Sequence, residues 1–159
     1  MGHGVNTKIF QYKQKQDKKE FTLMYSGSLV ESYDFDLVFD AAKKLKNEKI
    51  KFIIRGKGTL LSQLIHKKNQ MNLKNVEIDT NIVPYEKISE VLSVADVFLV
   101  PMKNEIALNS TLPTKILEYQ AIGRPIICCS EGAPGKYVEE TNSGIKVNYG
   151  NLDEFVNAI

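Results

Sequence analysis

The stretch Thr111–Cys129, TLPTKILEYQAIGRPIICC, decides how the chain folds, because it joins a helix with defined ends directly to an apolar strand. Ser110 or Thr111 can act as N-cap, Pro113 suits a first turn where no N–H partner is needed, and Gly123 stops the helix ahead of Pro125. Leu117 and Ala121 lie four apart with Ile116 beside them and make a packing face, while Thr114, Lys115 and Glu118 fall on another side. Free N–H groups of the first turn, the positive end of the helix dipole and Lys115 would attract a phosphate. Glu118, one turn deeper, would suit the hydroxyls of a sugar. An ordinary amphipathic helix with a solvated Lys and Glu has the same local features, so the stretch alone leaves both readings open.

Downstream, Pro125–Ser130 reads as a strand, residues 132–141 as loop and helix, and Gly144–Val147 as a last strand. Leu152, Phe155, Val156 and Ile159 begin an amphipathic helix that breaks off in mid-pattern, so the domain is expected to continue beyond it. Upstream, Asp96–Pro101 is a continuous apolar strand of the kind buried on both faces of a parallel sheet, followed by a loop over residues 102–110. Ile88, Val91, Leu92 and Ala95 form a helical core stripe after Pro84, and Val76–Asp79 is a short strand. Ile50–Arg55 is a strand ending in Gly56-Lys57-Gly58, before a helix with Leu61, Leu64 and Ile65 inward and Thr59 as cap. Phe21–Tyr25 is β-prone, and Ser26-Gly27-Ser28 turns the chain toward a helix carrying Phe35, Val38, Ala42 and Leu45 on one side.

Strands alternating with helices over short connections predict an α/β fold, a doubly wound, Rossmann-like parallel sheet with helices on both faces. Ligands in such sheets lie at the carboxyl ends of the strands, where Gly27, Arg55, Ile82 and residues 109–118 all emerge.

The totals narrow the class further. A chain of 159 residues, 43% hydrophobic and 25% charged, has room for one domain with a substantial core. A formal net charge of +2, with no basic block interleaved with aromatics, argues against a nucleic-acid partner. Cys128 and Cys129 are adjacent in an apolar strand and read as small core residues in a reducing compartment. His3 and His66 have no ligand-spaced companions, so no metal site is expected. The absence of a long apolar run or secretory signal predicts a cytoplasmic location. Gly56-x-Gly58 lacks both the Gly-Lys-Ser/Thr of a P-loop and the third glycine of a dinucleotide fingerprint.

The run P-T-K-x-x-E-Y-x-A-x-G-x-P from Pro113 to Pro125 resembles the signature of family 4 glycosyltransferases of the GT-B fold, especially the sub-group with P-[ST]-K ahead of the motif glutamate. Gly4–Phe10, GVNTKIF, is similar to the interdomain connector of those enzymes. The resemblance implies that residues 1–20 are tag and interdomain linker, that residues 21–159 form the nucleotide-sugar-binding half, and that an acceptor-binding N-terminal domain belongs to the full protein. Glu118 and Lys115 are then the candidate catalytic residues. Glu118 would hold the ribose hydroxyls, and Ser110, Thr111, Leu112, Pro113, Thr114 and Lys115 the diphosphate and sugar. The Gly27-Ser28 loop would approach the phosphates, Arg55, Gly56 and Lys57 would flank the nucleotide, and Ile82 and Val83 would meet the base.

Three positions depart from the family pattern. Ser28 replaces an arginine, Tyr33-Asp34 stand where Lys-Gly is expected, and Ser110 occupies the place of a glutamate eight residues before Glu118. A leaving diphosphate needs compensating positive charge, so Lys115 and Arg55 are the expected substitutes, and Glu105 is a candidate for the place left at Ser110. The resulting expectation is a retaining, metal-independent glycosyltransferase without a cofactor. It would take a nucleotide-diphosphate-sugar donor in polysaccharide biosynthesis and pass the sugar to a glycan or lipid-linked acceptor, at the cytosolic membrane face in the latter case. The isolated domain is expected to bind a nucleoside diphosphate and transfer nothing. A non-catalytic nucleotide-binding or partner-docking module and a GT-B-related sugar-nucleotide epimerase are the alternatives.

Overall fold

Strand-forming runs that are apolar at every position need cover on both faces, and six of them line up here in one sheet. The computed structural model describes residues 4–14 and 17–159, so Met1–His3 lie outside the described residues. The strands are β1 (Phe21–Ser26), β2 (Ile50–Arg55), β3 (Val76–Asp79), β4 (Val97–Pro101), β5 (Ile126–Cys129) and β6 (Gly144–Val147). All neighbours pair in parallel, in the order β3-β2-β1-β4-β5-β6. The helices are α1 (Phe35–Lys44), α2 (Leu61–Gln70), α3 (Ile88–Leu92), α4 (Ile106–Asn109), α5 (Thr114–Ile122), α6 (Ala133–Glu140) and α7 (Leu152–Asn157).

This is the expected Rossmann-like sheet. The chain winds outward from β1 to β3, then returns to lay β4 along the other side of β1, with Leu23 opposite Val97. The order reverses there, and the loops after β1 and β4 part to leave a crevice.

Alternation along each strand feeds two cores. Leu23, Tyr25, Val97, Leu99, Ile127 and Cys129 join the core under α1 and α7. Met24, Phe98, Val100, Ile126 and Cys128 join the core that holds Ile116, Tyr119 and Ile122 of α5. The two adjacent cysteines therefore point to opposite faces as buried free thiols, and burial pushes the Cys128 thiol up to about 12.

Several local expectations need correction. The buried face of α5 is Lys115, Ile116, Tyr119 and Ile122, with Leu117 and Ala121 only half-buried. The cause is Tyr119, whose ring stacks on Phe98 at 3.9 Å and whose hydroxyl both accepts from the Ser26 N–H and donates to the Ser26 carbonyl, each at 2.9 Å. Pro113 itself holds the cap position of α5 without a side-chain bond. Residues 102–110 are not all loop, because α4 forms within them, and the Thr111 hydroxyl donates to Ala107 of that turn instead of capping α5. Thr59 does not cap α2 either; its hydroxyl donates to the Glu31 carboxylate, and Leu64 is the one fully buried residue of that helix. A 3₁₀ turn over Tyr85–Lys87 precedes α3, which buries Ser89 and Leu92. Gly123 ends α5 in the left-handed region at φ 74°, as its position predicts.

Ahead of β1, residues 10–13 are docked on the domain. Phe10 is only 3% exposed within the α5-side core. The Ser89 hydroxyl both accepts from and donates to the Gln11 backbone at 2.9 Å, and Arg124 donates to the carbonyls of Lys13 and Ala95.

Candidate functional site

The crevice between β1 and β4 holds a pocket of about 500 Å³. Its walls come from the β1–α1 loop (Ser26, Gly27, Ser28, Val30, Ser32, Tyr33), from Met102 and Leu108 after β4, and from Thr111, Pro113, Thr114, Lys115 and Glu118 at the start of α5. Seven of the residues expected at a ligand site thus share one cavity: Gly27, Ser28, Thr111, Pro113, Thr114, Lys115 and Glu118. The first-turn amides of α5 carry no side-chain cap, so the positive end of this helix is left for a ligand.

Lys115 is the only cation among the lining residues, and it is 9% exposed. Its Nζ donates to the Tyr25 hydroxyl at 2.7 Å and sits 4.0 Å from the ring centres of both Tyr25 and Tyr33. Burial pulls its pKa down from 10.5 to about 7, against a smaller upward pull from Glu118. The Tyr25 hydroxyl donates onward to the Ser28 carbonyl at 2.6 Å, and burial drives its own pKa well up, so it stays a neutral acceptor for the lysine. Glu118 is half-buried in the same wall; burial pushes its carboxyl up and Lys115 pulls it partly back.

Gly27 is demanded by this geometry. Its φ is 154°, and a Cβ there would come 2.5 Å from the Lys115 Nζ. On its other side the loop meets Gly56, where an added Cβ would fall 1.8 Å from the Gly27 carbonyl oxygen.

Beyond that glycine contact lies a second pocket of about 260 Å³, lined by Arg55, Gly56, Lys57, Thr80, Asn81, Ile82, Val83, Tyr85 and Ile88. Five further expected residues, Arg55, Gly56, Lys57, Ile82 and Val83, gather here. Ile82 is 81% exposed and offers an apolar face to this pocket. Arg55 does not join Lys115. Its Nε lies 3.1 Å from Asp79, and it donates to the Asn81 carbonyl at 2.7 Å, so its charge braces the ends of β2 and β3.

Ser110 and Leu112 line neither pocket. Ser110 is exposed, and Leu112 packs half-buried against the α5-side core. Glu105 is exposed and lines neither cavity. Tyr25 and Met102 carry no site signal in the sequence, whereas Asn81 and Tyr85 bound the stretch that holds Ile82 and Val83. Tyr25 is hidden there because it reads as an ordinary strand residue. A further concavity of about 700 Å³ opens at the amino ends of β5 and β6, around Gln120, Arg124, Asn142 and Gly144. Among the described residues no cluster of three His, Cys, Asp or Glu side chains is placed to hold a metal ion.

The model of the family "Glycosyl transferases group 1" matches residues 6–159. The chitobiosyldiphosphodolichol beta-mannosyltransferase of Debaryomyces hansenii is 30% identical over 131 residues, which is 77% of this chain and 27% of that protein. The chain spans 26% or 27% of the length of the curated relatives it matches. TarM of S. aureus, solved in complex with fondaparinux, alpha-GlcNAc-glycerol and UDP, superposes with a TM-score of 0.78 at 16% identity, over 98% of this chain and 30% of that one. The C-terminal domain of the group 1 glycosyl transferase LpcC from Francisella tularensis superposes with a TM-score of 0.74 at 14% identity, over 97% and 85% of the two chains.

Proposed function

Because this chain belongs to the glycosyl transferases group 1 family, as the C-terminal half of a GT-B fold, we propose that it holds the nucleotide-diphosphate-sugar donor of a hexosyltransferase. One observation carries the reading: the uncapped start of α5, the buried cation of Lys115 and the carboxylate of Glu118 open into a single cavity at the switch point of the sheet. The diphosphate would lie against the α5 amides and Lys115. Charge develops on it as the glycosidic bond to the sugar breaks, and amides and an ammonium already in place stabilise that charge without reorganising. Glu118, one turn along the same wall, would accept hydrogen bonds from ribose hydroxyls. The base would extend past Gly27 and Gly56 toward Ile82 and Val83.

Residues 21–159 form the donor domain in this reading, and a second, N-terminal domain would bring the acceptor to the cleft. The acceptor is proposed to be a glycan or a lipid-linked saccharide, the latter being what the name of the mannosyltransferase relative gives for that enzyme. No helix of the described residues is long and apolar enough to cross a membrane, so a lipid-linked acceptor would be met at the membrane surface.

Calorimetric titration of the chain with UDP, GDP and ADP tests this. One of them should give a saturable heat that Glu118→Ala and Lys115→Met each weaken about tenfold, the loss of a charge-assisted hydrogen bond. No saturable heat with any of the three would leave a partner-docking module as the better account.

A further inference from the structure

The β1–α1 loop that walls the pocket, Gly27 to Asp34, contains no lysine or arginine. Among the residues lining the cavity, Lys115 from the opposite wall is thus the one cation able to meet an entering anion, beside the α5 amides. Lysine side chains are long and mobile, and a buried one is useful only if something fixes its tip. We propose that Tyr25 and Tyr33 are the positioning residues of this site, gripping the Lys115 ammonium between one phenol oxygen and two ring faces so that it meets a diphosphate beside Gly27. The inference rests on the donor-binding reading above.

The geometry is specific. The ammonium has three N–H donors; one goes to the Tyr25 oxygen, and the two ring centres lie equally close at 4.0 Å. Aromatic faces carry negative charge density and hold a cation without neutralising it. The rings in turn are fixed. Tyr25 and Tyr33 meet edge-on at 5.0 Å, Tyr25 meets Phe35 at 90° and 5.0 Å, and the Tyr25 hydroxyl hydrogen is committed to Ser28. Among the described residues no carboxylate comes within ion-pair distance of the Nζ, so an anion in the pocket would be its first direct ion-pair partner.

Such a grip has a consequence for protons. The groups facing Lys115 are Tyr25 from β1, Tyr33 from the loop and Glu118 from its own helix, with Tyr119 and Cys128 near the two tyrosines. The tyrosines and the thiol are all pushed upward by burial and keep their protons at neutral pH, whereas Lys115 is pulled down to about 7. At pH 8 most free molecules would hold a neutral lysine, and an arriving diphosphate would restore its charge. Binding would take up close to one proton, and affinity would fall as pH rises from 7 to 8.5.

Titrating the whole 159-residue chain with the tightest-binding of UDP, GDP and ADP at pH 8, in buffers of differing ionisation enthalpy, counts that proton. We expect close to one for the natural sequence and for Tyr33→Phe, which keeps the ring. Tyr33→Leu opens the ammonium to water, and Lys115→Arg cannot lose its charge; both should bind with almost no uptake, Tyr33→Leu also about tenfold more weakly at pH 7. Tyr25→Phe, lacking the phenol oxygen, should weaken binding at pH 7 while its circular dichroism stays that of the natural sequence. Saturable binding with no proton uptake, or uptake that persists in Lys115→Arg, would overturn the positioning role and leave donor binding standing. Failure of every nucleotide to bind would sink the donor reading itself, and this inference with it.

Discussion

At the scale of single residues, two side chains do opposite things with burial. Tyr119 is wholly buried, but its one polar atom exchanges two hydrogen bonds with the Ser26 backbone and so ties α5 to the end of β1. Tyr119→Phe leaves both Ser26 groups without that partner, and urea unfolding should show a loss of about 1–3 kcal/mol. Lys115 is nearly as deep with only a neutral acceptor, and the fold bears that cost for the sake of the pocket. Unfolded Lys115 keeps its proton to about 10.5, whereas the folded one yields it near 7, so the unfolded chain binds more protons throughout that interval and stability rises with pH across it. From pH 7 to about 8.5 the gain should be about 2 kcal/mol, absent in Lys115→Met. Above that, unfolded cysteines ionise near 9 while Cys128 and Cys129 remain protonated in the fold, and the trend should reverse.

At the scale of elements, α5 matters for what its first turn lacks. Pro113, extended at φ −63° and ψ 131°, fills the cap position with no side-chain acceptor, and Thr111 spends its hydroxyl on α4. The amides of Thr114 and Lys115 are thereby left facing the cavity. Thr114→Pro removes one of these donors at a position where proline fits a helix and where Pro113 already has the extended backbone a following proline requires. Nucleoside diphosphate affinity should drop about threefold to tenfold relative to Thr114→Ala, with a melting temperature within a few degrees, both read by calorimetry. The end of the helix was legible, because Gly123 stops it in the left-handed region by a local rule, whereas the cap expected from Ser110 or Thr111 was not formed. The burial of Lys115 was not legible, because helical spacing places it beside Thr114 and Glu118 and says nothing of the two tyrosines that cover it.

At the scale of the whole molecule, the boundary between linker and domain is a packing question. Phe10 precedes the first strand by eleven residues, yet it lies in the α5-side core and meets the Tyr85 ring edge-on at 5.8 Å. Phe10→Ala should therefore cost about 3–4 kcal/mol in chemical denaturation, where a solvated linker residue would cost almost nothing. The same dependence on packing separates what was readable from what was not. Apolar strands bounded by glycine turns, alternating with amphipathic helices, determined the parallel sheet and its covered faces by themselves, since periodicity and burial are local properties of the chain. The signature around Glu118 likewise pointed to the carboxyl ends of the strands, where that side chain lines the cavity. Only the tertiary structure sorted the expected site residues into two pockets, turned Arg55 away to Asp79, left Ser110 and Leu112 outside, and set Lys115 between Tyr25 and Tyr33. Those outcomes depend on which loops the strand order brings together, and groups ninety residues apart, such as Tyr25 and Lys115, meet only when the sheet has closed around them.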